Sequence, residues 1–237
     1  MNAVLFDIDG TLLQTGGAGR IAFAETFREL FSITEIAQEV AFAGRSDRAI
    51  AYELMNVHGI PSCDANWLAF VEAFLPRLHQ SLVDCEGSIL PGVIQLLDLL
   101  EELEFVSVGL LTGNIAEGAR AKLSHYAIFD RFHFGGFGDD FFDRDDIAAA
   151  AFEAAASYVR QNHNHKLEPQ RVVVIGDTPA DVKCARAIGA IAVGVATGGA
   201  SWEELSATQP DVLLHDLNDP SEIAALLVGD QNGDAVA

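Results

Sequence analysis

The chain has few cations, few cysteines and no long apolar run. Of 237 residues, 14 are Lys or Arg and 35 are Asp or Glu, a formal charge of −21. A surface of that sign repels nucleic acid and anionic membranes, and excludes both as expected partners. It also repels a phosphate at long range, so a phosphate site would need a metal and a few basic side chains gathered locally. No stretch reaches the ~18 apolar residues of a membrane span. The N-terminus enters a strand directly, without a signal-peptide pattern. Three cysteines, Cys63, Cys85 and Cys184, are scattered and odd in number. That excludes a disulfide framework and metal-ligand spacing and points to a reducing cytoplasm, with the thiols as small buried apolar groups. Oligomeric state is not legible in the sequence.

Half of the residues are hydrophobic, enough for a sizeable core. The organising stretch is Ala3-Val-Leu-Phe-Asp-Ile-Asp-Gly-Thr-Leu-Leu13. Ala3 to Phe6 reads as a buried parallel strand. Residues i and i+2 of a strand share a side, so Asp7 and Asp9 can converge just beyond its end. Two carboxylates there repel one another unless a divalent cation lies between them or one keeps a proton. Either condition suits phosphoryl transfer, with one carboxylate attacking phosphorus and the other moving a proton. The competing reading is a polar turn that caps a helix.

Two more buried strands end in polar residues. Val106–Leu111 runs into Thr112-Gly-Asn114, where a hydroxyl and bare N–H groups could hold phosphate oxygens. Arg171–Ile175 runs into Gly176-Asp-Thr-Pro-Ala-Asp181, where Asp177 and Asp181 can face the strand end. Further strands are expected at Ile191–Val195 and Val212–Leu214, and a short one at Phe132–Phe134. Strands alternating with helices predict an α/β fold, a Rossmann-like parallel sheet with helices on both faces. Ligands of such sheets bind beyond the carboxyl ends of the strands.

Residues 20 to about 86 read as helical throughout. Apolar faces recur at Phe23/Phe27/Leu30/Phe31, at Ile50/Leu54/Val57 and from Trp67 to Leu82, and Pro76 predicts a kink or break. This is an inserted helical unit, 15–87, within a core of 1–14 and 88–237. Gln14 to Gly19 is a flexible loop that is either a plain connection or a hinge. Ser46 or Asp47 can cap the helix that follows. Arg45 and Arg48 are either solvated or turned to a substrate. Arg144 stands alone in the acidic run 139–146, as a neutralising charge or a phosphate clamp. His163 and His165 read as a solvated loop, and residues 229–237 as a frayed end.

The ordered set FDIDGT, LLTGN and GDTPADVKCARAIG resembles the haloacid dehalogenase superfamily, in its phosphatase branch. The helical insertion is similar to that branch's cap, and the resemblance spans nearly the whole chain. It implies a magnesium-dependent phosphohydrolase of a small phosphorylated metabolite, similar to phosphoglycolate phosphatases. By that resemblance Asp7 is the nucleophile and Asp9 the proton donor and then base. Thr112 holds a phosphate oxygen, assisted by Gly113 and Asn114. Magnesium is bound by Asp7, the Asp9 carbonyl and Asp177, with Asp181 binding or orienting that shell. The lysine usual before the last motif is missing; Arg144 resembles its replacement, and Lys122 is the fallback. A sugar-phosphate mutase of the beta-phosphoglucomutase type and a non-catalytic binding protein are the alternatives.

Overall fold

The first strand, β1 (Asn2–Phe6), is buried at every position, because it is flanked by strands on both sides and by helices on both faces. The structure, a computed structural model, describes residues 1–229. The frayed end expected for the last residues falls, beyond Gly229, outside the described residues. β1 pairs in parallel with β4 (Val106–Leu111) and with β6 (Val172–Gly176). β5 (Gly135–Gly136) lies beyond β4, and β7 (Ile191–Val195) and β8 (Val212–Leu214) lie beyond β6. The order is β5-β4-β1-β6-β7-β8, a six-stranded parallel sheet.

Alternation along β1 divides the core into two layers. Val4 and Phe6 pack against α4 (Val93–Glu102), α5 (Ala116–His125) and α9 (Ser221–Gly229). Ala3 and Leu5 face α6 (Arg144–His163) and α7 (Pro179–Ala187). Each large apolar side chain fully buried in these layers contributes roughly 1.5–3 kcal/mol. A short α8 (Trp202–Ala207) follows β7, its start fixed by the Ser201–Glu204 capping box.

The chain leaves and re-enters the core through a small antiparallel ribbon, β2 (Leu13–Gln14) against β3 (Ser88–Ile89). Between them lie α1 (Ala18–Phe31), α2 (Asp47–Val57) and α3 (Asp64–Asp84). These helices share an apolar cluster of their own, built on Phe23, Phe27, Leu54, Phe70, Phe74 and Leu78. Ile115 and Ala121 join that cluster from the core side. No helix among the described residues is long and apolar enough to cross a membrane.

Three local expectations are corrected. Pro76 does not break α3, which runs unbroken for 21 residues. Trp67, Phe70, Phe74, Leu78 and Leu82 bury its apolar face, and that packing outweighs the one backbone bond a proline removes. The strand expected at Phe132–Phe134 sits at Gly135–Gly136. Phe134 already accepts the Leu110 N–H at 2.9 Å, but the strand itself needs glycine. A Cβ at Gly136 would come within 2.4 Å of the Ile147 carbonyl of α6. His163 lies in the last turn of α6 rather than in a loop, with Asn164 closing the helix in the left-handed conformation.

Candidate active site

β1 ends at Phe6, but the Asp7 N–H still reaches the Ile175 carbonyl at 3.0 Å. The chain then turns tightly, with the Thr11, Leu12 and Leu13 N–H groups all directed to the Ile8 carbonyl. Gly10 sits at φ 87°, and a Cβ there would lie 2.4 Å from an Asp177 carboxylate oxygen. Only glycine serves both demands. The turn carries Thr11 to Asp177, where its hydroxyl donates to Oδ1 at 3.2 Å, and the Gly199 N–H donates to Oδ2 at 2.9 Å.

Asp181 opens α7. Its Oδ2 accepts the Thr178 N–H at 3.0 Å and the Thr178 hydroxyl at 2.6 Å. Its Oδ1 accepts from Nη2 of Arg144, the first residue of α6. The same Nη2 lies 3.4 Å from Asp7 Oδ1. Asp7, Asp177 and Asp181 are all buried, with ligand-capable oxygens within 4.8 Å of one another. Burial pushes the Asp7 carboxyl up to about 8; Arg144 pulls it down, and Asp181, Asp177 and Asp9 push it further up. Burial and the neighbouring Asp181 raise Asp177 to about 7, against the Gly199 and Thr11 hydrogen bonds. For Arg144, burial works against the charge, but Asp181 and Asp7 outweigh it and hold the guanidinium above its usual range. One cation among three buried carboxylates leaves negative charge uncompensated. A hard divalent cation with oxygen ligands fits that donor set.

Asp9 belongs to a second group. Because the strand ends at Phe6, Asp7 and Asp9 do not alternate as strand residues, and their carboxylates find different cations. Asp9 Oδ2 accepts from Lys122 Nζ at 2.5 Å and from Asn114 Nδ2 at 2.9 Å. Lys122 is buried on α5 and also donates to Asn114 Oδ1 at 2.6 Å. Asn114 in turn donates to the Thr112 hydroxyl at 2.8 Å. Thr112, Asn114, Lys122 and Asp9 thus form one chain of hydrogen bonds at the end of β4. The expected polar strand ends do meet here: Asp7, Asp9, Thr112, Gly113, Asn114, Arg144 and Asp177 all line one cavity of about 500 Å³.

The helical unit covers that cavity. Gly113 presses directly on it, since a Cβ there would lie 2.0 Å from the Arg45 carbonyl. Arg45 borders the cavity, but its guanidinium is engaged, paired with Glu53 at 2.6 Å and donating to the Ala41 carbonyl at 3.2 Å. Arg48 reaches the core, donating to the Asp139 carbonyl at 3.2 Å and pairing with Asp64 at 2.7 Å. Of the two candidate caps, Ser46 is the one that accepts the Ala49 N–H.

Asp47 has a role that the local sequence did not reveal. Its N–H donates to the Gly113 carbonyl at 2.7 Å, and its Oδ2 accepts the Ile115 N–H at 2.9 Å. It fastens α2 to the loop that holds Thr112. Burial lifts its carboxyl from 3.8 to about 6, against the pull of Lys122 and the Ile115 N–H. The folded state therefore binds this proton more tightly than the unfolded chain. The stability this contributes is complete below about 3.8 and is lost as pH rises through about 6. Asp47→Asn keeps an acceptor for Ile115 and removes that loss. The stability of the variant relative to wild type should rise between pH 4 and pH 7.5, by roughly 3 kcal/mol or less. Denaturant melts across this window check it, and a flat difference would refute the buried Asp47 contact.

The family described as haloacid dehalogenase-like hydrolase matches residues 4–195. PpaX of Clostridium perfringens (strain 13 / Type A), a candidate pyrophosphatase, is 23% identical over 212 residues, 89% of this chain and 91% of that protein. The solved beta-phosphoglucomutase (pgmB) of Clostridium difficile is similar at TM-score 0.71 and 17% identity, covering 96% of this chain and 97% of that one. A predicted phosphoglycolate phosphatase of Haemophilus somnus 129pt is similar at TM-score 0.68 and 15% identity, covering 94% of this chain and 98% of that one.

Proposed function

The chain belongs to the haloacid dehalogenase-like hydrolase family, and on that premise we propose that it is a magnesium-dependent phosphatase of a small phosphate monoester. The observation that carries this reading is the buried Asp7–Asp177–Asp181 cluster, of which Asp7 and Asp177 line the cavity, flanked by Asp9 on its own lysine.

In this reading an Asp7 oxygen attacks phosphorus as the bond to the leaving oxygen breaks, giving an aspartyl phosphate. Asp9 gives its proton to the leaving oxygen. It then takes a proton from the water that attacks the phosphoryl group, so that inorganic phosphate leaves and Asp7 is regenerated. Lys122 and Asn114 fix the Asp9 carboxylate for both transfers. The Thr112 hydroxyl and the backbone N–H groups of Gly113 and Asn114 hold phosphoryl oxygens. Arg144 offsets the charge of Asp7 and Asp181. Asp7, Asp177, the Asp9 carbonyl and Asp181 would hold magnesium, which when bound screens the repulsion between carboxylate and phosphate. Residues 15–87 act as the cap over a catalytic core of 1–14 and 88–237, and Arg45 stands at its edge for substrate contact.

Phosphate release from a panel of cytoplasmic phosphorylated metabolites tests the reading. Inorganic phosphate should appear; return of the phosphoryl group to a sugar without release would favour a mutase instead. Activity should vanish in chelator and return with magnesium. Magnesium alone should raise Tm, since a ligand at 100 times its Kd stabilises by about 2.7 kcal/mol. Full turnover in excess chelator would end the metal assignment.

A further inference from the structure

Resting on the phosphatase reading, we infer that the leaving group carries a second anionic group, a carboxylate or a phosphate, and that Arg20 at the start of α1 receives it. Among the described residues four cations line the cavity: Arg20, Arg45, Lys122 and Arg144. Three of them are matched by carboxylates of the chain. Arg45 pairs with Glu53, Lys122 with Asp9, and Arg144 with Asp7 and Asp181. Arg20 has no acidic partner among the described residues; its contacts are Gln38 and the Phe42 ring. Acidic side chains outnumber basic ones by 35 to 14 in this chain, so a cation left unmatched beside the cavity is the exception. It supplies locally the positive charge that an acidic ligand needs against the field of the whole protein.

The side chain is held in place without its charge being met. Its guanidinium lies over the Phe42 ring, 4.7 Å from the centroid. Gln38 accepts from Nη2 at 3.0 Å and donates its own amide to the Ile36 carbonyl at 3.3 Å, which turns its oxygen toward Arg20. Nε and Nη1 take no partner among the described residues, and both can donate to a carboxylate or phosphate oxygen. The position of Arg20 agrees with this chemistry. Gly19, the residue before it, runs close to Lys122, since a Cβ there would lie 3.6 Å from Nζ. That Nζ holds Asp9, which in the phosphatase reading protonates the leaving oxygen. The leaving group therefore departs beside the first turn of α1, where Arg20 lines the cavity. At about 500 Å³ the cavity admits a phosphoryl group together with a short acid.

The test uses phosphate esters that differ only at the far end of the leaving group. Phosphorylated 3-hydroxypropanoate, 4-hydroxybutanoate and 5-hydroxypentanoate are compared with the monophosphates of the diols of the same length, which end in a neutral hydroxyl. The diol bisphosphates complete the set, all at saturating magnesium. A hydrogen bond to a charged group is worth roughly 10- to 150-fold, and the lower end applies because Arg20 is half-buried and partly screened by water. At the best length, wild-type kcat/KM should therefore favour a charged end over the neutral one by about tenfold or more. A larger gain with the acids makes the group at Arg20 a carboxylate; a larger gain with the bisphosphates makes it a phosphate. Arg20→Gln, a substitution that suits a helix as well as arginine does, should lower the charged-to-neutral ratio about tenfold. Arg20→Lys should keep it within about threefold. Equal kcat/KM for charged and neutral ends at every length, or an unchanged ratio in a folded Arg20→Gln, would overturn the inference and leave Arg20 as a cover for Phe42. Thermal shifts with phosphonates of the same lengths, ending in a carboxylate, a second phosphonate or a hydroxyl, read the site without turnover. A larger shift with a charged end that is lost in Arg20→Gln, even where no ester releases phosphate, would keep the anion site and sink the phosphatase reading. Equal shifts in wild type would overturn the inference whatever the turnover.

Discussion

Asp7→Asn abolishes phosphate release and leaves the fold at least as stable as wild type. The catalytic half of this expected result follows from position. Asp7 stands at the end of β1, its N–H donating to the Ile175 carbonyl and its carboxylate lining the cavity beside Arg144. An amide of the same shape cannot attack phosphorus, and losing a nucleophile costs on the order of 10⁴-fold or more. The stability half follows from burial. The Asp7 carboxyl is raised from 3.8 to about 8, chiefly because the fold withdraws it from water. A raised acid stabilises the fold fully below the unfolded value and loses that contribution as pH rises through the folded one. At pH 8 and without metal, wild type therefore carries a cost that asparagine lacks, and the variant Tm should match or exceed that of wild type. Lost activity with a retained Tm separates chemistry from unfolding. Near-wild-type phosphate release by the folded variant would remove Asp7 as nucleophile.

The parts of this molecule that were legible in its sequence are those where one local rule decides. β1, β4 and β6 are short apolar runs because parallel strands are buried on both faces. Each ends in polar residues because the strand ends meet at one edge, which is why Asp7, Thr112 and Asp177 were found together. What stayed hidden depends on partners distant in sequence. Asp47 looked like a helix cap, and its partner Ile115 lies 68 residues away. Lys122 is 113 residues from Asp9. The sequence marks it only as the fallback clamp, and its pairing with Asp9 is not visible there. Phe132–Phe134 misled in the opposite direction. Their apolar character suggested a strand, while close approach of α6 required the glycines that follow. Pro76 misled because propensity was weighed without the packing of α3.

Arg144→Ala and Lys122→Ala should both lose on the order of 10²-fold in kcat, the scale of one lost transition-state contact, but by different routes. Arg144 is buried, with Nη2 shared between Asp181 and Asp7. Its Nε is buried without a hydrogen-bond partner among the described residues. Removing it leaves Asp7, Asp177 and Asp181 facing one another without a cation. Such an uncompensated buried charge costs about 3–5 kcal/mol, and magnesium should return part of it. The Tm of Arg144→Ala should therefore fall without metal and rise more steeply with magnesium than that of wild type. Lys122 serves Asp9 and Asn114 instead. Its loss frees the proton-transfer group and leaves the three-carboxylate cluster as it was, so Tm should respond to magnesium as in wild type. Arg144→Lys should regain part of the activity if charge matters more than the planar fork. A nearly silent Arg144→Ala beside a large loss at Lys122 would move the phosphate clamp to Lys122. Identical magnesium dependence of Tm in the two alanine variants would contradict the separation of the site into an Asp7 group and an Asp9 group.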